Sequence, residues 1–147
     1  MSQSAELPSS LTRSPSFQIE RVRRHTKDEV ERTLAKRGST MREYWILSCV
    51  MEHGLSQRQL SEMLVIDASD MVRLIDSLEA LEWVKRDRDP DDRRRQIVTP
   101  TKKGAKAHAS LMEEVAAAED RALDMSTNKQ LKSLKQLSKA ILTEEGE

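Results

Sequence analysis

The chain has 147 residues, 25 lysines and arginines against 25 aspartates and glutamates, 3% aromatic residues, four glycines and one cysteine. That length suits one domain with its own core, and so few aromatic residues and glycines disfavour a sandwich or barrel and point to a mostly α chain. Zero net charge excludes attraction to polyanions through overall charge, and a lone cysteine excludes an intrachain disulfide; with no secretion signal and no apolar run long enough to cross a membrane, a soluble cytoplasmic protein is expected.

Residues 1–16, MSQSAELPSSLTRSPS, are rich in serine, hold two prolines and offer little to bury, which predicts a disordered N-terminal arm. From Phe17, FQIERVRRHTKDEVERTLAKRG suits a charged amphipathic helix anchored by Val22, Val30 and Leu34 and stopped by Gly38 in a left-handed cap. So thin an apolar stripe implies contact with another helix, from this chain or a second copy.

Thr40 and Glu43 form a T-x-x-E capping box before MREYWILSCVMEH, a helix with Ile46, Cys49, Val50 and His53 on one face, ended by Gly54. Ser56 and Gln59 form a second box, and Leu60, Met63 and Leu64 line a short helix ending near Val65 and Ile66. Asp67 caps ASDMVRLIDSLEAL, in which Met71, Leu74, Ile75, Leu78 and Leu81 recur at helical spacing. Two short helices across a tight turn make a helix-turn-helix candidate. WVKR and QIVT then alternate as strands do around the turn DPDD and predict a two-stranded hairpin. Thr101 caps a long helix with His108, Leu111, Met112, Val115 and Ala122 on one face, and Thr127 with Gln130 caps a last one carrying Leu131, Leu134, Leu137 and Ile141.

Charge is concentrated on the hairpin: from Lys85 to Lys106, 22 residues hold nine basic and four acidic side chains. The element order is that of a winged helix-turn-helix with added helices at both ends. Over SQRQLSEMLVIDASDMVRLIDSLEALEWVKRDRDPDDRRRQIVTPTKKG the sequence closely resembles the MarR family of bacterial transcription regulators. The most specific part is RDPDDRR, Arg88 to Arg94, followed by Thr101-Lys102-Lys103-Gly104; the resemblance spans roughly Thr40 to Lys106, and the flanking helices match in pattern only. It implies a mostly α fold, a winged helix-turn-helix DNA-binding lobe over 40–100 with one two-stranded β wing, and N- and C-terminal dimerisation helices over 17–39 and 101–147. It also implies a homodimer that binds double-stranded DNA at a palindromic operator, with half-sites about one turn (~10 bp) apart. Glu82 stands where family members usually have glycine, which predicts a different turn after the recognition helix, and Pro100 replaces a usual leucine.

On the recognition helix the apolar face is taken up by the core, leaving Ser69, Asp70, Arg73 and Ser77 toward DNA. Arg73 is the candidate base reader, since arginine can bond guanine bidentately. Asp70 either accepts from a cytosine or stabilises the helix start, while Asp76 suits a local pairing. The wing arginines Arg86, Arg88, Arg93, Arg94 and Arg95 suit a minor groove and the phosphates beside it. Carboxylates between them fix the loop by accepting from arginine or turn N–H groups, a role the resemblance assigns to Asp92, with Arg94 as the minor-groove residue. Ser56, Gln57 and Arg58 are placed for phosphate contacts that position without reading sequence.

The resemblance further implies a small anionic or aromatic effector bound between the dimer helices and the lobe. Met41, Tyr44 and Trp45 are candidate pocket residues, with Arg42 or His25 as the anion's partner, although an apolar stripe also serves as plain core. Cys49 and His53, four apart, allow a redox-sensing thiol, or Cys49 is simply a small buried hydrophobe. His25, His53 and His108 lie on three helices without ligand spacing, and no serine or cysteine has a base and an orienting group, so neither a metal, another cofactor nor an enzyme is expected. A winged-helix protein-interaction module that does not read DNA is the alternative of a different class.

Overall fold

A computed structural model describes residues 5–145. Along the chain these form α1 (Ser9–Thr12), α2 (Pro15–Ala35), α3 (Met41–Val50), β1 (Leu55–Ser56), α4 (Gln57–Leu64), α5 (Ala68–Ala80), β2 (Val84–Arg88), β3 (Gln96–Pro100), α6 (Lys102–Ala122) and α7 (Asn128–Glu145). The fold is mostly helical with a small antiparallel sheet, as in a winged helix.

The caps read from the sequence form as hydrogen-bonded pairs. Thr40 Oγ1 accepts the Glu43 N–H at 3.2 Å and Glu43 Oε1 accepts the Thr40 N–H at 3.0 Å. Ser56 with Gln59 and Thr127 with Gln130 make the same reciprocal bonds. Each box satisfies two N–H groups that a helix start leaves orphaned. At the other end of α2, Gly38 takes the left-handed conformation with φ +73°.

Leu34, Ile46, Leu47, Leu60, Met71, Ile75, Leu78, Val98 and Leu111 are fully buried in one core shared by α2 to α6 and the sheet. Fully burying a side chain of this kind contributes about 1.5–3 kcal/mol. The buried face of α6 runs Gly104, Ala107, Leu111, Val115, Ala118, while Met112, expected on it, is exposed. His108 stacks on Tyr44 of α3 with ring centroids 5.6 Å apart, and its Nε2 lies 2.9 Å from Ser48 Oγ. Because the Ser48 hydroxyl donates to the Tyr44 carbonyl at 2.8 Å, His108 is the donor in that contact.

Three expectations need correction. Of the arm predicted to be disordered, residues 1–4 lie outside the described residues, but Ser9–Thr12 form a helical turn, and α2 starts at Pro15 with Ser14 as N-cap, ahead of Phe17. Proline fits a first helical position because its missing N–H is one the helix would leave unpaired. The wing sheet has three strands, in the order β1-β3-β2, because Leu55 and Ser56 pair with Val98 and Ile97. Gly54 permits this approach: a Cβ there would lie 2.6 Å from the Ile97 Cγ2 methyl. The third concerns Glu82, which adopts φ +64°, the conformation that glycine would supply, so the turn keeps its usual hand. The Trp83 N–H reaches Leu78 O at 3.0 Å and the Glu82 N–H reaches Glu79 O at 2.8 Å, a Schellman closure of α5.

That closure also seats α6. The Thr101 N–H donates to Trp83 O at 3.0 Å, Thr101 Oγ1 donates to Glu82 O at 2.6 Å, and Lys103 pairs with the Glu82 carboxylate at 3.1 Å. Gly104 then lies so close that an added Cβ would fall 1.9 Å from Trp83 O. A Gly104→Ala variant is therefore expected to lose about 2–3 kcal/mol in urea unfolding with an unchanged denaturant slope. A loss below about 0.5 kcal/mol would show that the start of α6 has room to spare.

Candidate nucleic-acid interface

Helix α5 presents three faces. Met71, Ile75 and Leu78 point into the core; Ser69, Arg73 and Ser77 are exposed on the opposite side, four residues apart; Val72, Asp76 and Glu79 form a flank toward β2. Asp67 caps the helix, its Oδ1 accepting the Ser69 N–H at 2.7 Å and the Ser69 hydroxyl at 2.8 Å. These bonds hold the Asp67 carboxyl below its ordinary pKa. Asp70 pairs with the mostly exposed Arg73 and lies 3.8 Å from Arg42 of α3. The expected reading residues thus share one exposed surface, with Arg73 steered by its own carboxylate.

The tip between β2 and β3 is organised by Asp89. Its side chain is only 8% exposed, Oδ2 accepts from Arg95 Nε at 2.6 Å, and Oδ1 accepts the Asp91 N–H at 2.9 Å. The backbone closes the same loop, with Asp89 N–H to Arg95 O at 3.0 Å and Arg95 N–H to Asp92 O at 3.1 Å. The Arg95 guanidinium, followed by the Asp91 N–H, holds the Asp89 carboxyl below the usual aspartate range. Asp92 accepts the Arg94 N–H at 3.1 Å. Sequence reasoning counted Asp89 among the loop-fixing carboxylates with Asp91 and Asp92, and the resemblance gave the role to Asp92; the structure gives the larger part to Asp89.

The wing arginines divide into two sets. Arg88, Arg93 and the 96% exposed Arg94 project from the tip. Arg95 is half-exposed and tied to Asp89, so it shapes the tip. Arg86 departs furthest from expectation: its side chain is 16% exposed and bridges Asp76 and Glu79 of α5, turned inward by two carboxylates in place of facing solvent.

An open groove of about 550 Å³ joins the tip to the start of α4, lined by Ser56, Gln57, Arg58, Arg88, Asp92, Arg93, Arg94, Arg95 and Gln96. Arg58 is exposed, with Nε 3.2 Å from Glu62. Ser56 is buried and its hydroxyl is engaged by the Gln59 N–H, which leaves the exposed Arg58 and the half-buried Gln57 beside it. The groove gathers cationic side chains against one helix start, an arrangement suited to a polyanion backbone.

The expected effector residues are only partly gathered. Met41, Tyr44 and Trp45 line a cleft of about 220 Å³ with Val30 and Val115, and Met41, Arg42 and Trp45 line a neighbouring groove of about 340 Å³ with Arg23 and Lys27. His25 lies elsewhere, its Nε2 2.8 Å from Ala122 O at the end of α6. Positions 23, 27 and 31 share one face of α2, and 25 falls off it. The premise for an activated thiol also fails. Helix α3 stops at Val50, His53 is exposed beyond it, and burial, then Glu52, pushes the Cys49 thiol upward. Among the described residues no group of histidine, cysteine and acidic side chains could hold a metal, and no helix is long and apolar enough to cross a membrane.

This geometry matches known proteins. The family model described as MarR family matches residues 38–95. A transcriptional regulator (MarR family) from Rhodococcus sp. RHA1 superimposes with a TM-score of 0.84 at 25% identity, over 91% of this chain and 96% of that one. Over residues 38–95 the chain is thus similar to the MarR family, and over most of its length it shares the fold of this regulator. Two further structures, below 25% identity, add likeness of fold. CouR from Rhodococcus jostii RHA1 bound to p-coumaroyl-CoA gives a TM-score of 0.80 at 23% identity, covering 91% of this chain and 95% of that one. The transcriptional repressor CouR bound to a 23-mer DNA duplex gives 0.85 at 23% identity, covering 94% and 99%. No curated protein matches the chain by sequence. Where members of that family usually have a glycine after the recognition helix, this chain has Glu82, held left-handed by its neighbours.

Removing the Asp89 carboxylate by Asp89→Asn is expected to speed hydrogen exchange at the Asp91 N–H about tenfold or more, the effect of one lost charge-assisted bond, while the global unfolding midpoint stays nearly constant. In the wild type the ordered tip is expected to survive acidification below the normal aspartate pKa. A carboxyl with a lowered folded-state pKa contributes stability that is present above the unfolded value and lost as pH falls through the folded one.

Proposed function

We propose that the protein is a dimeric, sequence-specific DNA-binding transcription regulator of the cytoplasm, acting as a repressor at a palindromic operator. The observation that carries this reading is the groove that joins the start of α4 to the tip arginines Arg88, Arg93 and Arg94, together with the exposed Ser69, Arg73 and Ser77 of α5. Arg73 with Ser69, Asp70 and Ser77 would read base edges, Gln57 and Arg58 would hold phosphates, and Arg94 would enter the minor groove. The DNA-bound structure of CouR supports the same use of the fold. A dimer is supported by α7, in which no described residue is buried and Leu131, Leu134, Leu137, Ile141 and Leu142 stay exposed, next in kind to Ile19 and Val22 of α2. An unpartnered apolar face of this size needs a cover, and the helices at both ends of the chain supply one by two-fold pairing.

The effector we favour is a small compound with an anionic group and an aromatic or apolar body. Met41, Tyr44 and Trp45 offer the apolar wall and Arg42, Arg23 and Lys27 the charge, at the junction of α2, α3 and α5. Binding there would change the spacing of two DNA-binding lobes and release DNA. The complex of CouR with p-coumaroyl-CoA supports this class of ligand.

Two measurements test the reading. On duplexes enriched by the protein from a random library, fluorescence anisotropy at about 0.15 M salt should give a preference of ~10³ or more over scrambled duplex. Arg94→Ala should weaken binding and reduce the salt slope by about 1, and a slope left unchanged would remove Arg94 from the interface. In sedimentation equilibrium the wild type should be a dimer, and Leu134→Glu should weaken self-association by about 30-fold or more. A monomeric wild type would sink the two-fold model.

A further inference from the structure

We propose that Arg86 is a positioning residue for DNA reading, one that fixes the wing to the recognition helix without itself touching DNA. The proposal rests on the DNA-binding reading above. Arg86 lies in the middle of β2, and its guanidinium reaches across to α5 at three levels. Nη2 donates to Val72 O at 3.1 Å, and Nη1 lies 2.7 Å from Asp76 Oδ1 and also bonds Glu79 Oε1. Val72, Asp76 and Glu79 are spaced four and three residues apart, so they form one stripe along the helix. That stripe borders the exposed face carrying Ser69, Arg73 and Ser77.

The chemistry is one of fixation. Arginine presents a rigid planar fork, so three acceptors met at once set both the distance and the angle between strand and helix. The third nitrogen, Nε, is buried without a hydrogen-bond partner, and the guanidinium keeps its position despite that cost. In a strand, residues two apart share a face, so Arg86 and Arg88 stand on the same side of β2, and the tip begins immediately beyond Arg88. A clamp at Arg86 therefore sets where the tip arginines stand relative to Arg73.

The same arginine offsets Asp76 and Glu79, two carboxylates that would otherwise stand beside the phosphates. On the other flank of α5, Arg42 approaches Asp70 at 3.8 Å, an exposed and looser contact. The helix is thus held firmly on the wing side. Simultaneous engagement of helix and tip requires their geometry within about 0.5 Å, a tolerance that a strand hinged only at Trp83 and Val84 would exceed.

Two variants of the full-length protein separate fixation from direct contact. Arg86→Met keeps much of the side-chain volume and removes the fork. Asp76→Asn with Glu79→Gln keeps Arg86 and removes its charged acceptors. Both are to be measured by anisotropy on the library-enriched duplex and a scrambled duplex across a salt series, with melting curves to establish folding. Arg86→Met is expected to reduce the preference for the enriched duplex about tenfold or more while the salt slope stays within about 0.5 of wild type. The double variant is expected to bind both duplexes more tightly, having lost two negative charges, yet to show the same fall in preference. A salt slope reduced by about 1 in Arg86→Met, with preference retained, would make Arg86 a phosphate contact and overturn the proposal. So would a double variant that keeps its full preference, and this arm decides the matter if Arg86→Met does not fold. A wild type that prefers no duplex removes the DNA-binding reading itself, whereas a wild-type preference kept by both variants overturns only the role of Arg86.

Discussion

The backbone of Glu82 and Trp83 is the point on which the candidate interface depends. Within these two residues α5 is closed by the Trp83 N–H on Leu78 O, β2 begins, and α6 is seated by the Thr101 bonds to Glu82 O and Trp83 O. Gly104 completes the contact, because no side chain fits against the Trp83 carbonyl. Three elements that diverge in space thus share one origin, and the direction in which β2 leaves α5 starts there. Left-handed backbone at a residue other than glycine costs roughly 1–2 kcal/mol, and the bonds converging on Glu82 offset that cost.

From this origin the charges are sorted by pairing. The chain is neutral overall, yet its acidic residues near the interface are mostly engaged: Asp89 with Arg95, Asp70 with Arg73, Asp76 and Glu79 with Arg86. The carboxylates turn Arg86 and Arg95 into parts of the scaffold and leave Arg88, Arg93 and Arg94 exposed at the tip. A local cationic surface is compatible with zero net charge because potential near a surface follows the nearest charges, with screening over about 10 Å. The opposite property governs α7, where Leu131, Leu134, Leu137, Ile141 and Leu142 stay exposed among the described residues.

Much of this was legible in the residues. Capping boxes announce themselves at fixed spacing, so the starts of α3, α4 and α7 were readable, and so was the apolar stripe of α5. The exposed face of α5 followed by subtraction. Less visible was β1: two residues carry no periodicity, and their pairing depends on Gly54 admitting β3. The helical turn at Ser9–Thr12 was hidden by a composition that suggests disorder.

The sequence by itself determined the order of the main elements from α3 onward apart from β1, the starts of the capped helices and the concentration of arginine on a hairpin, because these are set by neighbours a few residues apart. Only the tertiary structure decided which arginines are available. Arg86 and Arg94 are the same residue type on the same hairpin, yet one is enclosed by Asp76 and Glu79 from another element and the other stands in solvent. His25 and Arg42, both expected beside one cleft, were separated for the same reason. The partner of a charged side chain is chosen by packing across the fold, and that information is not local to the chain.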